Sequence, residues 1–534
     1  MSESAKKQSF LHGAALLAIA TAVVKVIGAL YKIPLKMVIG DQGYGYFMTA
    51  YDIYSVLLMI SNAGLPIAMS RMISQAASLG KYNQVRRIYQ VSRTVFLLLG
   101  IVSSLIMVLF CHQLAAFQKQ PDAWAAILCL GPCALFMATM SIYRGFFQGQ
   151  GDMRPTSSSQ MLEAVFKLIV GLATAYGIMR VWNSIPLAAG GAILGVTVSC
   201  LVSMGYLFKK FRPAYKALPV TEEIPDSGKT ITKELLAIAI PITIGAAGLQ
   251  LLTVLETNLY MGRLLTANGL SQSAADTVKG IYNMAQTIFN MPCSFIVPIT
   301  VSVLPAVTEQ LTLGNHKGVR ATEESAARIT GLLSLPCAVG LVSLAGPVMS
   351  LLGGYSGEKL ALGGNLMLLL GICVFPYAII QFTNSLLQSH GYAKVPVINM
   401  LLCGVAKLAA VYLLVGNPNI GILGAPICAI LCYTLIAALN LLAIRKLVPQ
   451  NPQLLRNLLR PALPAVLMGA LVFGCRWALE RVLGSDVSRV ILCGVPVMIG
   501  VVAYFLGVVV FKAITREDCQ LLPKGEKIAK LLRL

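Results

Sequence analysis

Charged residues are scarce in this sequence. Asp, Glu, Lys and Arg make up 12% of the 534 residues, whereas hydrophobic residues make up 57% and the mean hydropathy is +0.76. Soluble domains usually carry about 25% charged residues. A water-soluble protein this apolar would expose large apolar patches, so lipid is the expected solvent.

The motifs of nucleotide-driven and metal-dependent enzymes are also missing. Gly228-Lys229-Thr230 has Glu223 where a phosphate-binding loop requires glycine. No His-Glu-x-x-His segment occurs, and the thirteen Cys form neither a Cys-x-x-Cys pair nor a cluster with the four His. We therefore predict a transporter rather than an enzyme, with no metal site and no cofactor. Transport would draw on an ion or substrate gradient, the membrane potential or a partner. A coupling cation, Na⁺ or H⁺, is the candidate small ion, with no site assigned.

What the sequence does contain is a succession of long apolar runs. A spanning helix needs about 20 predominantly apolar residues. The runs predict an all-α integral membrane protein with about 14 transmembrane helices, near 11–34, 44–70, 91–110, 123–147, 159–180, 186–208, 234–262, 278–305, 327–350, 364–388, 394–415, 421–444, 460–480 and 489–511. The first run extends past Tyr31 without a convincing cleavage site, so we interpret it as a span rather than a signal peptide.

The net charge of +21 raises the question of a nucleic-acid partner. Nucleic-acid binders collect Lys and Arg on one soluble face. Here about 29 of the 42 Lys and Arg lie on one side of the predicted alternation of spans, in the two termini and in the loops after even-numbered spans. Cytoplasmic loops carry such an excess, which predicts no nucleic-acid binding and places both termini in the cytoplasm of a bacterial cell membrane.

An internal repeat predicts two lobes. Gln148-x-x-Gly151 is followed by Lys167, and Gln388-x-x-Gly391 is followed by Lys407, with an offset of 240 at all three positions. Spans 1–6 and 7–12 then resemble two copies in the same orientation, although so short a match could be coincidental. The predicted domains are an N-lobe at 1–208, a cytoplasmic linker at 209–233, a C-lobe at 234–444, and two further helices with a cytoplasmic tail at 445–534.

Ionisable residues inside the spans are the candidate substrate-binding residues, because a charge at mid-bilayer costs roughly 2.5–3.5 kcal/mol on insertion scales. The candidates are Lys25, Lys32, Asp52, Arg144, Glu163, Lys167, Glu256, Arg263 and Lys407. Lys25, Lys32 and Lys36 share a helical face and would suit an anionic substrate, although the last two could instead snorkel to the interface. Glu163 and Lys167 have the i, i+4 spacing of a helical ion pair, which could equally be structural. Arg144 could be an ordinary anchor at the inner interface.

Three segments carry a resemblance to a known family: Ile60-Ser-Asn-Ala-Gly-Leu-Pro-Ile-Ala-Met-Ser-Arg71, Tyr143-Arg-Gly-Phe-Phe-Gln-Gly-Gln-Gly-Asp-Met-Arg-Pro-Thr156 with Ser159-Gln-Met-Leu-Glu163, and Ile240-Pro-Ile-Thr-Ile-Gly245. They resemble the polysaccharide-transporter branch of the multidrug/oligosaccharidyl-lipid/polysaccharide (MOP) exporter superfamily. The nearest subgroup comprises the stage V sporulation protein B-like proteins, which are related to the MurJ-type lipid II flippases. The likeness covers nearly the whole chain.

The resemblance implies two six-helix lobes plus two C-terminal helices, and flipping of undecaprenyl-diphosphate-linked sugars by alternating access. Lys25-Val-Ile-Gly28 matches the family's basic-x-x-Gly segment, so Lys25 would contact the diphosphate. Two departures make lipid II less secure as the substrate. Val56-Leu-Leu-Met-Ile60 stands where an arginine is common, and Lys167 and Glu256 replace an arginine and an aspartate. Implied partners are an anionic lipid-linked sugar, membrane lipid and enzymes of cell-wall synthesis.

Two other functions remain as alternatives. A multidrug cation antiporter of the same fold would need acidic residues to bind cationic drugs, whereas Lys25, Lys167, Lys407 and Arg263 make the intramembrane charge lean basic. A non-transporting scaffold of envelope or spore assembly would not need lysines at equivalent positions of both repeats.

Overall fold

The structure is a computed structural model and describes residues 3–62, 64–312, 314–449, 452–483, 488–515 and Asp518. Every regular element in these ranges is helical. The first helices are α1 Glu3–Asn62, α2 Leu65–Ser78, α3 Tyr82–Leu109, α4 Cys111–Phe117, α5 Trp124–Gly149, α6 Arg154–Trp182, α7 Ile185–Lys216, α8 Gly228–Thr266 and α9 Gln272–Thr312. They are followed by α10 His316–Ser343, α11 Ala345–Gly353, α12 Gly357–Ser389, α13 Lys394–Val415, α14 Gly424–Leu447, α15 Leu454–Leu459, α16 Ala462–Leu483 and α17 Arg489–Val510.

Long apolar helices with exposed outer faces make this a multi-pass membrane protein. In the part of the chain that the structure describes, 10 helices are long and apolar enough to cross a membrane. Leu413 and Leu506 are more than 60% exposed on α13 and α17, where water would penalise them and lipid would not. The all-α membrane fold is confirmed, and the count of 14 spans stays a prediction.

The first two predicted spans differ from the structure in their connection. The sequence predicted separate spans at 11–34 and 44–70, and α1 consists of two helical segments that meet at Gly40 without a loop between them. Gly40 has a φ of 70° and a ψ of −175°, which a residue with a side chain rarely adopts. The second predicted span also ends early, because α1 stops at Asn62 and α2 begins at Leu65.

The chain forms two compact units, Met1–Gly280 and Ile281–Leu534. In the first unit, α1 packs against α5, α6, α7 and α8, and α5 packs against α3 and α7. In the second, α10 packs against α12, α15 and α16, α14 packs against α12 and α13, and α16 packs against α17. The division falls after the start of α9 rather than in the predicted linker at 209–233, because α8 contacts α1, α2 and α3.

The predicted linker is mostly helix and docked loop. Its ends belong to α7 and α8, and only residues 217–227 between them are irregular. Arg86 donates to the Leu218 carbonyl (2.6 Å), and Glu223 accepts from the backbone N–H groups of Asn83 (2.7 Å) and Gln84 (3.2 Å). Glu223 thereby caps the start of α3, where N–H groups lack helical partners. The two-lobe boundaries themselves stay a prediction.

The order of helices repeats in the second unit. The series α3 to α7 and the series α10 to α14 each consist of a long helix, a short helix and then three long helices. The first two helices of each series begin 234 residues apart, at Tyr82 and His316 and at Cys111 and Ala345. The order agrees with a repeat, and it places Lys167 on α6 and Lys407 on α13.

Candidate functional site

The basic stripe predicted on α1 is divided among different environments. Lys36 is buried and forms an ion pair with Asp41, with 3.2 Å between Nζ and Oδ1, beside the break at Gly40. Lys32, one turn earlier, is half-buried and interacts electrostatically with Lys167 and Asp52. The side chain of Lys25 lies outside the described residues. Of the two described lysines, Lys36 serves local structure and Lys32 joins the predicted site.

Lys167 lies against an aromatic ring rather than a carboxylate. Its Nζ is 5.8 Å from the centroid of the Tyr31 ring, within the range of a cation–π interaction. Tyr31 is buried and donates a hydrogen bond to the Ala192 carbonyl (3.1 Å). A Cβ added at Gly171, one turn after Lys167, would lie 2.5 Å from the Tyr31 hydroxyl. The missing side chain therefore lets α6 approach Tyr31 closely enough for Lys167 to cover its ring.

Glu163 forms its ion pair with Arg144, so the prediction of an ion pair with Lys167 is wrong. Glu163 accepts from Arg144, with 3.2 Å between Oε2 and Nη2, and Arg144 Nε also donates to Ser159 (3.0 Å). A planar guanidinium can donate to two acceptors at once. This favours Arg144 over Lys167, which lies on the same helix as Glu163, as the partner of Glu163. Arg144 is thus a half-buried bridge from α5 to α6, and its role as an anchor at the inner interface stays a prediction.

An aromatic row connects these two places. Ring centroids are 5.9 Å apart for Tyr31 and Phe47, 4.9 Å for Phe47 and Tyr51, and 6.3 Å for Tyr51 and Tyr54. Tyr51 and Tyr54 both interact electrostatically with Glu163. Tyr31 precedes the break at Gly40 and the other three rings follow it, so the row joins the two segments of α1.

Asp52 is an acidic residue of α1 that interacts with lysines on two helices. Its Oδ2 accepts from the Thr257 hydroxyl (3.4 Å), and it interacts electrostatically with Lys279, Lys32 and Glu256. Glu256 and Arg263 are half-buried on α8. Near the end of this helix, the Arg263 carbonyl accepts a hydrogen bond from the Asn268 side chain (3.2 Å). Lys32 thus interacts with Lys167 and Asp52, and Asp52 interacts with Glu256, while the role of these residues in substrate binding stays a prediction.

Sequence reasoning missed Lys279. This lysine is fully buried and donates to the Thr49 hydroxyl and to Gln120 Oε1 (2.9 Å). Gln120 in turn donates to Asp276 Oδ1 (2.8 Å), whose other oxygen accepts from Tyr46 (3.1 Å). The signal was the Asp276-x-x-Lys279 spacing at the start of the predicted span 278–305, which a reading of apolar windows places at a border.

Lys407 lies in the second unit, beside aromatic rings. Its Nζ is 5.9 Å from the Tyr433 centroid, and Tyr433 is 5.9 Å from Tyr377. The residue equivalent to Glu163 is Cys403, which is buried. Lys167 and Lys407 therefore share a cation–π contact, but through rings on α1 and α14 respectively.

No group of three or more His, Cys, Asp or Glu side chains among the described residues is arranged to hold a metal ion.

Comparison with known proteins identifies the family. The model of the family described as "Polysaccharide biosynthesis protein" matches residues 10–310, more than half of the chain. The chain belongs to this family. A second model, MatE, matches residues 261–413. The chain is thus a member of the MOP superfamily, as the sequence motifs predicted.

Individual relatives agree with this assignment. The chain is 24% identical to the lipid II flippase MurJ of Bacillus subtilis (strain 168), over 74% of this chain and 76% of the relative. It is also 24% identical to stage V sporulation protein B of the same organism, over 83% and 85%. A solved structure of the lipid II flippase MurJ in an inward closed conformation has a TM-score of 0.69 and 13% identity, and covers 93% of this chain and 98% of that one. This family member therefore has the fold of MOP-type flippases and transporters, and its relatives are not catalysts.

Proposed function

We propose that the protein is a flippase of lipid-linked oligosaccharides, with an undecaprenyl-diphosphate-linked sugar such as lipid II as its substrate. The observation that carries this proposal is the position of Lys167 on α6 beside Lys32 on α1. Lys167 Nζ lies 5.8 Å from the ring centroid of Tyr31, the residue before Lys32, and the two lysines interact electrostatically. Two like charges within membrane helices repel each other in a medium of low dielectric constant. A bound diphosphate would remove this repulsion and accept charge-assisted hydrogen bonds from both ammonium groups.

A multidrug cation antiporter is the second candidate, favoured by the MatE match over residues 261–413. Cationic drugs need carboxylates that are open to them. Glu163 is already engaged by Arg144, and Asp52 interacts with Lys32 and Lys279. The described carboxylates are thus largely compensated, which supports an anionic substrate over a cationic one. A non-transporting scaffold of envelope assembly is less favoured, because it would gain nothing from lysines that repel each other.

The remaining features of the proposal follow from the family and the charge distribution. The protein would work by alternating access in a bacterial plasma membrane, for cell-wall, spore-cortex or surface polysaccharide synthesis, beside the enzymes of that pathway. The excess of Lys and Arg in the termini and in the loops after even-numbered spans supports a cytoplasmic location for both termini. Na⁺, H⁺ or the membrane potential would supply the energy.

The decisive test is binding and flipping in proteoliposomes. Purified polyprenyl-diphosphate-disaccharide would be the substrate, and its exposure in the outer leaflet the readout. Lys32→Ala and Lys167→Ala should each slow flipping by about tenfold, because each removes one charged contact to the diphosphate. Lys229→Ala is the matched control, since Lys229 is exposed at the start of α8. Unchanged flipping in both site variants would refute the proposal, and transport of a lipophilic cation instead would establish the antiporter.

Topology has its own test. Val220 and Ile224 are 82% and 93% exposed in the loop between α7 and α8, so cysteines placed there would react readily. A membrane-impermeant thiol reagent should label them only after the cytoplasmic face has been opened. Labelling of these positions from outside intact cells would contradict the proposed orientation.

A further inference from the structure

Residues 217–227, between α7 and α8, expose aliphatic side chains outside the apolar runs. Val220 and Ile224 are 82% and 93% exposed. Lys216 at the end of α7 and Lys229 at the start of α8 flank the segment, so it lies outside the part of the chain that lipid tails would cover. Burial of these two side chains against a partner would lower the free energy.

The start of α3 holds this segment in place through hydrogen bonds. The backbone N–H of Asn83 donates to Thr221 Oγ1 (3.2 Å), and its Nδ2 donates to the carbonyls of Thr221 and Glu223, the latter at 3.3 Å. Gln84 Nε2 donates to Asp226 Oδ2 (2.7 Å), and the backbone N–H of Asp226 donates to Gln84 Oε1 (2.8 Å). A partner would therefore meet an ordered surface and lose less conformational entropy on binding.

Exposure alternates along the segment. The exposed residues are Val220, Glu222, Ile224 and Asp226, and the residues between them are half-buried. Such alternation is typical of an extended chain, in which every second side chain points to the same side. The four exposed residues, which we call the linker face, therefore present aliphatic and acidic side chains in turn.

A cleft of about 180 Å³ adjoins the linker face and is also lined by Ile224 and Asp226. Its other lining residues include Met72, Lys81, Ile88, Glu223 and Glu234, so three carboxylates oppose one ammonium. Glu222 and Glu234 are exposed, and neither forms an ion pair with any residue that the structure describes. Small-molecule sites usually measure about 300–1,000 Å³. This cleft is therefore suited to one long side chain rather than to a whole ligand.

We propose that the linker face and this cleft form a docking surface for a basic segment of another protein. A Lys or Arg side chain of that segment enters the cleft, where its cation meets the carboxylates and its apolar stem packs on Met72 and Ile88. Aliphatic neighbours of this basic residue cover Val220 and Ile224 and exclude water from the contact. The inference goes beyond the proposed function, because it does not depend on which substrate is transported.

Charge argues against two other occupants of the same surface. Glu222 and Asp226 would be repelled by the anionic headgroups of a membrane surface. A second copy of the chain, bound symmetrically, would set the linker face against itself and bring like charges together. The acidic residues thus favour a basic partner chain over both.

Photo-crosslinking in cells tests the surface, with a photoreactive amino acid in place of Ile224 in the full chain. Mass spectrometry should identify a crosslinked protein segment in which Lys or Arg stands beside aliphatic residues. Glu234→Lys should reduce this product by about fivefold, because it reverses a charge in the cleft. Glu358→Lys is the matched control and should leave the yield unchanged, since Glu358 is an exposed glutamate on α12 that pairs with no described residue.

Peptide binding to the detergent-solubilised full chain gives a second readout. The probes are acetyl-Leu-Lys-Val-Arg-Leu-amide and its acidic counterpart acetyl-Leu-Glu-Val-Glu-Leu-amide. The basic peptide should bind more tightly, and Ile224→Ser, at a side chain that supports no packing, should weaken its binding by about fivefold.

Several outcomes would overturn the docking surface. They are equal binding of the two peptides, binding of neither, and unchanged binding of the basic peptide in Ile224→Ser. A crosslink from position 224 to lipid, to a second copy of the chain or to an acidic segment would overturn it as well, and so would the absence of any protein crosslink.

Discussion

Lys167 and Lys407 each follow a Gln-x-x-Gly segment by the same interval, but the two units surround them differently. In the first unit, Lys167 lies near Lys32, Asp52 supplies compensating negative charge, and Glu163 is paired with Arg144. In the second, Lys407 lies beside Tyr433, and the polar groups of α12 to α14 away from the helix ends are otherwise neutral. Lys167 thus lies in a charged environment, whereas Lys407 lies in an aromatic one.

The second unit also contains buried contacts between ionisable side chains. Arg328 on α10 forms an ion pair with Asp518 (2.8 Å between Nη2 and Oδ1), and His390 at the end of α12 lies 2.6 Å from Glu323. Asp518 and Glu323 are fully buried. Each contact joins residues that are far apart in the chain, so these groups hold segments of the second unit together.

The largest expected effect comes from Lys25, which belongs to the basic stripe of α1. No acid stands three or four residues away on its own helix, so an unpaired ammonium there costs roughly 2.5–3.5 kcal/mol unless water or an anion reaches it. Lys25→Ala should abolish flipping without loss of membrane insertion, and Lys25→Arg should keep much of the activity. Leaflet-resolved flipping assays measure both. Wild-type transport by well-expressed Lys25→Ala would show that Lys25 does not contact the substrate.

The comparison between the two repeat lysines can be broken directly by charge reversal. Lys167→Glu should slow flipping by about a hundredfold, since it sets a carboxylate against the diphosphate, whereas Lys407→Glu should slow it by about tenfold. Initial rates in proteoliposomes measure the ratio. Equal slowing by the two variants would mean that Lys167 and Lys407 both contact the anionic group of the substrate.

Stability should distinguish Glu163 from its counterpart Cys403. Glu163→Ala leaves Arg144 without its carboxylate and should lower the free energy of unfolding by roughly 2–3 kcal/mol. Cys403→Ala removes one buried thiol and should cost only about 1 kcal/mol. Unfolding in detergent measures both. The double variant Arg144→Met/Glu163→Met should regain most of the loss, and no recovery would argue that Glu163 acts through some other contact.

The smallest expected effect concerns the ion pair between Arg328 on α10 and Asp518. Burial tends to raise the pKa of Asp518, but hydrogen bonds from Arg328 and Ser325 outweigh it and hold the pKa below the ordinary value of 3.8. A carboxyl whose folded pKa is depressed stabilises the protein above its unfolded pKa, and this contribution disappears as the pH falls through the folded pKa. Asp518→Asn should therefore lower stability by about 1 kcal/mol near neutral pH.

The pH dependence supplies the control for that variant. Melting temperatures of wild type and Asp518→Asn should differ at about pH 7 and converge as the pH falls below 3.8 and through the lowered pKa of folded Asp518. A difference that persists at low pH would assign the effect to packing rather than to the charge. Arg320→Ala, which breaks an exposed i, i+4 pair with Glu324, should change stability by less than about 0.5 kcal/mol.

Parts of the site were predictable because they depend on helical spacing alone. The apolar runs placed Lys32, Asp52, Lys167 and Glu256 inside spans. In the structure Lys32 interacts electrostatically with Lys167 and Asp52, and Asp52 interacts with Glu256. The partner of Glu163 was not predictable in this way. A carboxylate can reach either a lysine on its own helix or an arginine on the next one, and only the packing of α5 on α6 decides between them.

The sequence by itself determined the membrane environment, the helical class and the family, because a bilayer requires long apolar helices that satisfy their own backbone hydrogen bonds and leave a readable record in composition. The tertiary structure decided how the chain turns at Gly40, where the compact units divide, and which groups surround Lys279 and Lys407. Those outcomes depend on which helices meet, and residues far apart in the chain, such as Thr49, Gln120 and Lys279, carry no local sign that they will be neighbours.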